Sequence, residues 1–267
     1  VKIPMITHTS RPIKRLAYIV LALIVALFLH LSTHGMEAYH FSADEMMHIG
    51  MARGQSIGEV WHFSAFEPHP PLGNILRHYW LQFSQEVDFV RSQSLLFGLL
   101  TIVLSYRIGT MVGSPLTGIC VAAVAAFCPP LILQSYIARN YAFFVFFLSA
   151  AFYGYLRYEH SYLLRWLLTY GLLATLACLT NFSGVFTIFC IAALGCWRWR
   201  QRRGSQSALM LWIAVHLAMA AISIATWQLA LPSGIEPYQQ YVRAHLPAGW
   251  SALVHYPQQL VTQLLPY

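Results

Sequence analysis

The sequence predicts an all-α, polytopic membrane protein, and three observations carry that prediction. Of 267 residues, 58% are hydrophobic and only 9% charged, with a mean hydropathy of +0.55; soluble domains carry about 25% charge. The apolar residues gather in runs near the roughly 17–25 residues that a helix needs to cross a bilayer. The basic residues bracket those runs instead of forming an aromatic-rich surface patch. The net charge of +7 therefore reads as a topology signal and not as a nucleic-acid interface.

Seven runs qualify as spans: 16–32, 92–112, 116–134, 141–156, 163–180, 182–197 and 208–231. The first follows basic residues as a signal peptide would. It is too long for one and lacks a small-residue cleavage site, so it reads as an anchor. With the N-terminus in the cytoplasm, Lys2, Arg11, Lys14, Arg15, Arg107, Arg157, Arg165, Arg198, Arg200, Arg202 and Arg203 fall inside. Arg53, Arg77, Arg91, Arg139 and Arg243 fall outside, the sidedness that cytoplasmic Lys/Arg enrichment requires. All acidic residues but Glu159 also fall outside, which directs the search for chemistry to that face.

The connections are unequal. Residues 33–91 form a first extracytoplasmic loop, and 232–267 a further extracytoplasmic segment, within one transmembrane domain that reads as the N-terminal part of a longer chain. A loop as long as the first is functional or disordered, and two helical patterns argue for function. Ser42 followed three residues on by Glu45 is a capping box, with Phe41 and Met46 placed as a hydrophobic staple, so a helix starts at Ala43. Asp44 and Glu45 occupy its first turn, where the helix dipole favours negative charge, and His48 shares a face with Asp44. Pro70-Pro71 opens a second helix whose Leu72, Ile75, Leu76, Tyr79, Trp80 and Phe83 form one apolar stripe. Such a helix is expected to lie along the membrane interface, aromatic side down.

The five cysteines all sit in apolar runs and read as packing residues, without disulfide or metal spacing. His30, His216 and His245 read as structural or interfacial groups, and Tyr136 and Tyr141 as parts of an aromatic belt. Four polar clusters remain at outer span ends or in the long loop: Asp44-Glu45 with His48; Glu67 to Leu72; Ser135 to Tyr141; and Thr180 to Gly184. Folding is expected to bring them to one depth at the outer surface.

An Asp-Glu pair just after the first span, a His-Pro-Pro-Leu start to a later loop helix (His69 to Leu72), and Ser135-Tyr136-Ile137-Ala138-Arg139-Asn140-Tyr141 entering span four together resemble the C-type glycosyltransferase superfamily. The similar branch includes protein O-mannosyltransferases and the aminoarabinose transferases that act on lipid A. The resemblance implies transfer of a sugar from a polyprenyl-phosphate carrier, undecaprenyl phosphate in a bacterium, to an acceptor glycan, lipid or protein. It implies inversion at the anomeric carbon, a site on the extracytoplasmic face of the inner membrane, and contact with membrane lipids.

By match to the family, Asp44 is the expected general base, with Glu45 orienting it or the acceptor. Arg139 is the expected ligand of the leaving phosphate, with Arg91, Arg53 and Tyr141 as further donor-binding candidates. A divalent metal held by Glu67 and His69 is implied by the aminoarabinose branch, although Pro68-His69 stands where that branch has a lysine. Two other classes compete. A transporter or flippase would carry more ionisable groups at mid-span than Arg107 and His216. A non-catalytic membrane subunit is favoured if the chain ends at Tyr267.

Overall fold

The computed structural model describes residues 11–64, 69–202 and 205–230. Glu67 and the 232–267 segment lie outside them. Among the described residues the chain forms eleven helices and no strand. They are α1 (Arg11–Ala38), α2 (Ala43–Ala52), α3 (Ile57–Ser64), α4 (Leu72–Leu81), α5 (Val87–Val112), α6 (Pro115–Phe127), α7 (Pro129–Tyr136), α8 (Tyr141–Ser161), α9 (Leu164–Cys178), α10 (Gly184–Arg202) and α11 (Gln206–Ala230).

The seven expected spans map onto α1, α5, α6 with α7, α8, α9, α10 and α11. By length and composition α1, α5 and α11 are each able to cross a membrane, and the bent pair α6 with α7 has the apolar length of a fourth, broken span or of a re-entrant loop. The bend of 61° falls at Cys128, whose backbone is extended. Pro129 and Pro130 follow it, a pair that tolerates a helix start but not a helix interior. The other three are less apolar or shorter: α8 and α10 end in polar turns, and the 15 residues of α9 reach only about 22 Å.

Packing divides the helices into two groups. Ala17, Ile24 and Phe28 of α1 interlock with Ile102 and Tyr106 of α5 and Ala122 and Ala126 of α6. The crossing of α5 and α6 is close because glycine faces glycine. A Cβ on Gly109 would sit 2.7 Å from the Cα of Gly118, and one on Gly118 would sit 2.8 Å from the carbonyl oxygen of Tyr106. Small residues at such crossings let helix backbones meet in a membrane. The second group centres on Tyr155, Leu167, Tyr170, Trp212 and Met219 of α8, α9 and α11. There the Tyr170 hydroxyl lies 2.9 Å from His216 Nε2, while His216 Nδ1 lies 2.8 Å from the Trp212 carbonyl. His216 is thus an interhelical tie, as its isolation in the sequence suggested.

Helices α2, α3 and α4 form a layer over the N-terminal ends of α5 and α8. Ile49, Ala52, Leu81, Val90 and Ala138 make its small core. The apolar stripe of α4 splits: Leu72 and Leu76 pack against the cluster of Phe143, Phe147 and Ala177, while Tyr79 and Phe83 project outward. Helix α3 has no counterpart in the sequence reading. Its signal was present, since Ser56 Oγ accepts from the Glu59 N–H at 3.2 Å and Glu59 reaches back to the Gln55 N–H at 2.7 Å, a variant of the capping pattern that starts α2.

Candidate active site

The capping box at α2 is formed as its residue types dictate. Ser42 Oγ accepts from the Glu45 N–H at 3.2 Å, and Glu45 Oε2 accepts from the Ser42 N–H at 3.1 Å. The Glu45 carboxylate has more partners than a cap requires. Arg91 meets it with two parallel bonds, Nε to Oε1 and Nη2 to Oε2, both 2.9 Å, and the Ala138 N–H donates to Oε1 at 2.9 Å. Burial alone would raise the carboxyl pKa. The bonds from Arg91, Ala138 and Ser42, with the Arg91 charge, outweigh it and hold the group below the usual glutamate range. Glu45 is therefore a sealed anion that joins α2 to α5 and to the turn before α8.

Arg91 is equally committed. Its Nη1 donates to the carbonyls of Met36 at 3.0 Å and Tyr39 at 3.2 Å, and its guanidinium lies 5.7 Å from the rings of both Tyr39 and Phe41. The structure places this expected donor-binding residue in the interior, where it completes the Glu45 pair and ties down the end of α1. Arg53, another expected donor contact, is exposed at the C-cap of α2. It lies nine positions from Asp44, about 13 Å along the helix.

Asp44 and Arg139 face the outside together. Arg139 Nη1 lies 3.2 Å from Asp44 Oδ2, with side chains 26% and 57% exposed respectively. The Arg139 guanidinium stacks 5.0 Å from the Tyr141 ring centre. Its buried Nε has no hydrogen-bond partner among the described residues. The guanidinium thus retains donor capacity that the fold does not use. His69 stands edge-on to Tyr141 at 5.8 Å and parallel to His48 at 6.4 Å. Burial, then the Arg139 charge, lowers the pKa of His69. Burial and the Arg77 charge push His48 to about 3. Both rings are held toward the neutral form, and among the described residues the charges that meet at the mouth are the Asp44 carboxylate and the Arg139 guanidinium.

Of the two expected metal ligands, Glu67 lies outside the described residues. Among the described residues no three His, Cys, Asp or Glu side chains converge, and the charged group that His69 feels is the Arg139 cation.

Sequence reading missed one feature entirely. Beneath the mouth, Arg77 is fully buried, with Nη1 3.3 Å from both Asn74 Oδ1 and Asn140 Oδ1 and its guanidinium 5.6 Å from the Phe143 ring centre. Asn74 Oδ1 also lies 3.2 Å from His48 Nδ1, and its Nδ2 donates to Ser64 Oγ at 3.1 Å. Because an amide oxygen only accepts, the His48 proton sits on Nδ1. The signal in sequence was the spacing of Asn74 and Arg77, three apart and off the apolar stripe. On a lone amphipathic helix that face reads as solvated. Here α2 and the start of α8 cover it.

The fourth cluster reaches this layer through the backbone, with the Leu72 N–H donating to the Leu179 carbonyl at 3.1 Å. Asn181 Oδ1 then accepts from the Ser183 N–H at 2.9 Å and turns the chain into α10.

Comparison with known proteins follows from this geometry. The family model described as "Dolichyl-phosphate-mannose-protein mannosyltransferase" matches residues 55–246. Among solved structures, the fold is similar to the S. cerevisiae protein O-mannosyltransferase Pmt1-Pmt2 complex bound to the sugar donor. The TM-score is 0.55 at 19% sequence identity, covering 94% of this chain and 36% of that one. The chain thus spans about a third of the length of the protein it resembles. Among curated proteins none matches in sequence.

Proposed function

We propose that this chain, which belongs to the dolichyl-phosphate-mannose-protein mannosyltransferase family, carries the catalytic outer face of a membrane glycosyltransferase. In this reading a hexosyl group, mannosyl by the family's name, passes from a polyprenyl-phosphate donor to an acceptor hydroxyl on the extracytoplasmic side. One observation carries the assignment. At the first turn of α2 and the start of α8, Asp44 and Arg139 form an ion pair open to the exterior, while Glu45 and Arg91 are spent on each other.

The chemistry follows from those two groups. The acceptor oxygen attacks the anomeric carbon as its proton passes to Asp44, and the bond from that carbon to the phosphate oxygen breaks with its electron pair leaving on the phosphate. Arg139 receives the departing charge through its guanidinium, which suits phosphate oxygens in pairs. The displacement is in line and inverts the centre. A general base contributes typically 10²–10⁴-fold.

The 3.2 Å contact between Asp44 and Arg139 is too short to hold acceptor oxygen, sugar carbon and phosphate oxygen between base and cation. Reacting atoms alone start about 3–3.5 Å apart. Arg139 must therefore exchange Asp44 for the phosphate when donor binds. An exposed pair of this kind costs only about 0–1 kcal/mol to part. No step in this scheme passes through a metal.

The test is sugar transfer by the full-length protein in nanodiscs, with a panel of polyprenyl-phosphate sugars, for wild type and Asp44→Asn in parallel. The substitution keeps shape and removes the base. Loss of about a hundredfold or more in a folded variant supports the reading. Undiminished transfer removes Asp44 from the mechanism, and no transfer by wild type with any donor refutes the enzyme.

A further inference from the structure

Arg139 sits between two buried anchors. On its upstream side the Ala138 N–H is held by Glu45 at 2.9 Å. On its downstream side Asn140 is held by Arg77 at 3.3 Å. The second anchor is unusual because of what Asn140 forgoes. It occupies the N-cap position of α8, where an asparagine side chain ordinarily accepts from the helix's first N–H groups, yet it makes no capping bond. Its amide turns inward, almost fully buried, onto the first turn of α4. Gly73 makes the space: a Cβ there would lie 2.3 Å from Asn140 Cγ and Oδ1.

Arg77 is itself held by Asn74 and by the face of Phe143, and Asn74 by His48 and Ser64. The network therefore runs from α2 and α3 through α4 to the residue next to Arg139. A buried cation is seldom the most stable way to fill a core, since well-packed apolar residues often do as well or better. What this network supplies is a fixed position.

We propose that Arg77 and Asn140 form a positioning clamp for Arg139: by fixing the backbone immediately after it, they set where its guanidinium meets the donor phosphate. The clamp rests on the reading of Arg139 as the phosphate ligand. Small displacements of such a group are expensive, about 10²-fold for 1 Å. Neither clamp residue touches substrate.

The experiment is a double-mutant cycle on the full-length protein in nanodiscs, with KM for the polyprenyl-phosphate sugar and for the acceptor, kcat and melting temperature read for each variant. Asn140→Ala removes the acceptor of the Arg77 bond without removing a cap. It is expected to raise donor KM about tenfold and leave acceptor KM within error, while lowering the melting temperature by a few degrees because buried Arg77 loses a partner. In the Arg139→Ala background the same change is expected to add nothing, because there is no guanidinium left to position. Asn140→Asp retains an oxygen for Arg77 and is expected to restore donor KM to within about twofold of wild type. Fold-changes that multiply in the double variant, a donor KM unmoved by Asn140→Ala, or an Asn140→Asp protein as impaired as Asn140→Ala would each overturn the clamp. An Arg139→Ala protein with normal donor KM overturns the phosphate assignment and the clamp with it, whereas a high donor KM in Arg139→Ala beside a normal one in Asn140→Ala overturns the clamp alone. If Asn140→Ala does not fold, Arg77→Lys, which keeps the charge and loses the planar reach, takes its place in the cycle with the same expectations.

Discussion

Glu45→Ala is the substitution whose consequence can be worked most fully. The carboxylate accepts from Arg91 Nε and Nη2, from the Ala138 N–H and from the Ser42 N–H, and it is inaccessible to water. Its removal strands a buried guanidinium whose remaining hydrogen-bond partners among the described residues are the Met36 and Tyr39 carbonyls. Removing one member of a buried pair costs about 3–5 kcal/mol. At roughly 2–4 °C per kcal/mol for a chain of this size, the melting temperature should fall by about 6–20 °C. Fluorescence-monitored melting in nanodiscs measures it. The companion variant Glu45→Met with Arg91→Met replaces both charges by apolar groups and should recover most of the loss, since the cost lies in the stranded charge and not in the missing attraction. A drop below about 2 °C for Glu45→Ala, or no recovery in the double variant, refutes the view that this pair is an interior structural element.

Three further outcomes follow from named contacts. His48 is held neutral in the fold, with its pKa pushed from 6.5 to about 3, so the unfolded chain binds a proton that the folded chain refuses. Its contribution is fully present above about pH 6.5 and is lost as pH falls toward 3, at up to about 1.4 kcal/mol per unit; melting curves of His48→Gln should be flatter between pH 6.5 and 5 than those of wild type, and equal slopes would count against it. Gly73→Ala drives a methyl group into the Asn140 amide and should cost about 1–3 kcal/mol, read as a lower melting temperature together with a raised donor KM; normal values for both would show that the close approach is not real. Arg53→Ala should leave donor KM within about twofold, because Arg53 is exposed at the far end of α2, and a tenfold rise would return it to the donor site.

What was legible in the sequence were the features written in local spacing. The start of α2 at Ala43, the box between Ser42 and Glu45, and the helix after Pro70-Pro71 all depend on residues within four positions of one another, and each is formed. Charge placement in sequence gave only an expected side of the membrane. By that expectation Arg91, Arg53 and Arg139 share the outer face, and the fold separates them by depth. Arg91 pairs with Glu45 across 46 positions, Arg53 faces solvent, and Arg139 pairs with Asp44 at the surface. The break between α6 and α7 had its proline pair in plain sight, but an apolar run on both sides of it reads as one span. Asn74, Arg77 and Asn140 were illegible because their partners lie on other elements, and a polar helix face carries no mark of whether water or another helix covers it.

The separation of charges by depth also gives the site its working logic. Two ion pairs meet near the same two backbone residues. Glu45 with Arg91 is desolvated, saturated and costly to disturb, and it fixes Ala138; Asp44 with Arg139 is exposed, singly bonded and cheap to part. The proposed mechanism, which hands a guanidinium from a carboxylate to a phosphate, draws on both kinds. If the outer pair were as saturated as the inner, the base would be unavailable to a hydroxyl and Arg139 unavailable to a phosphate. If the inner pair were as loose as the outer, Arg139 would have no fixed origin from which to move. In the proposed mechanism, loosening the inner pair should therefore cost stability as well as activity, whereas removing either member of the outer pair should cost activity with little loss of stability.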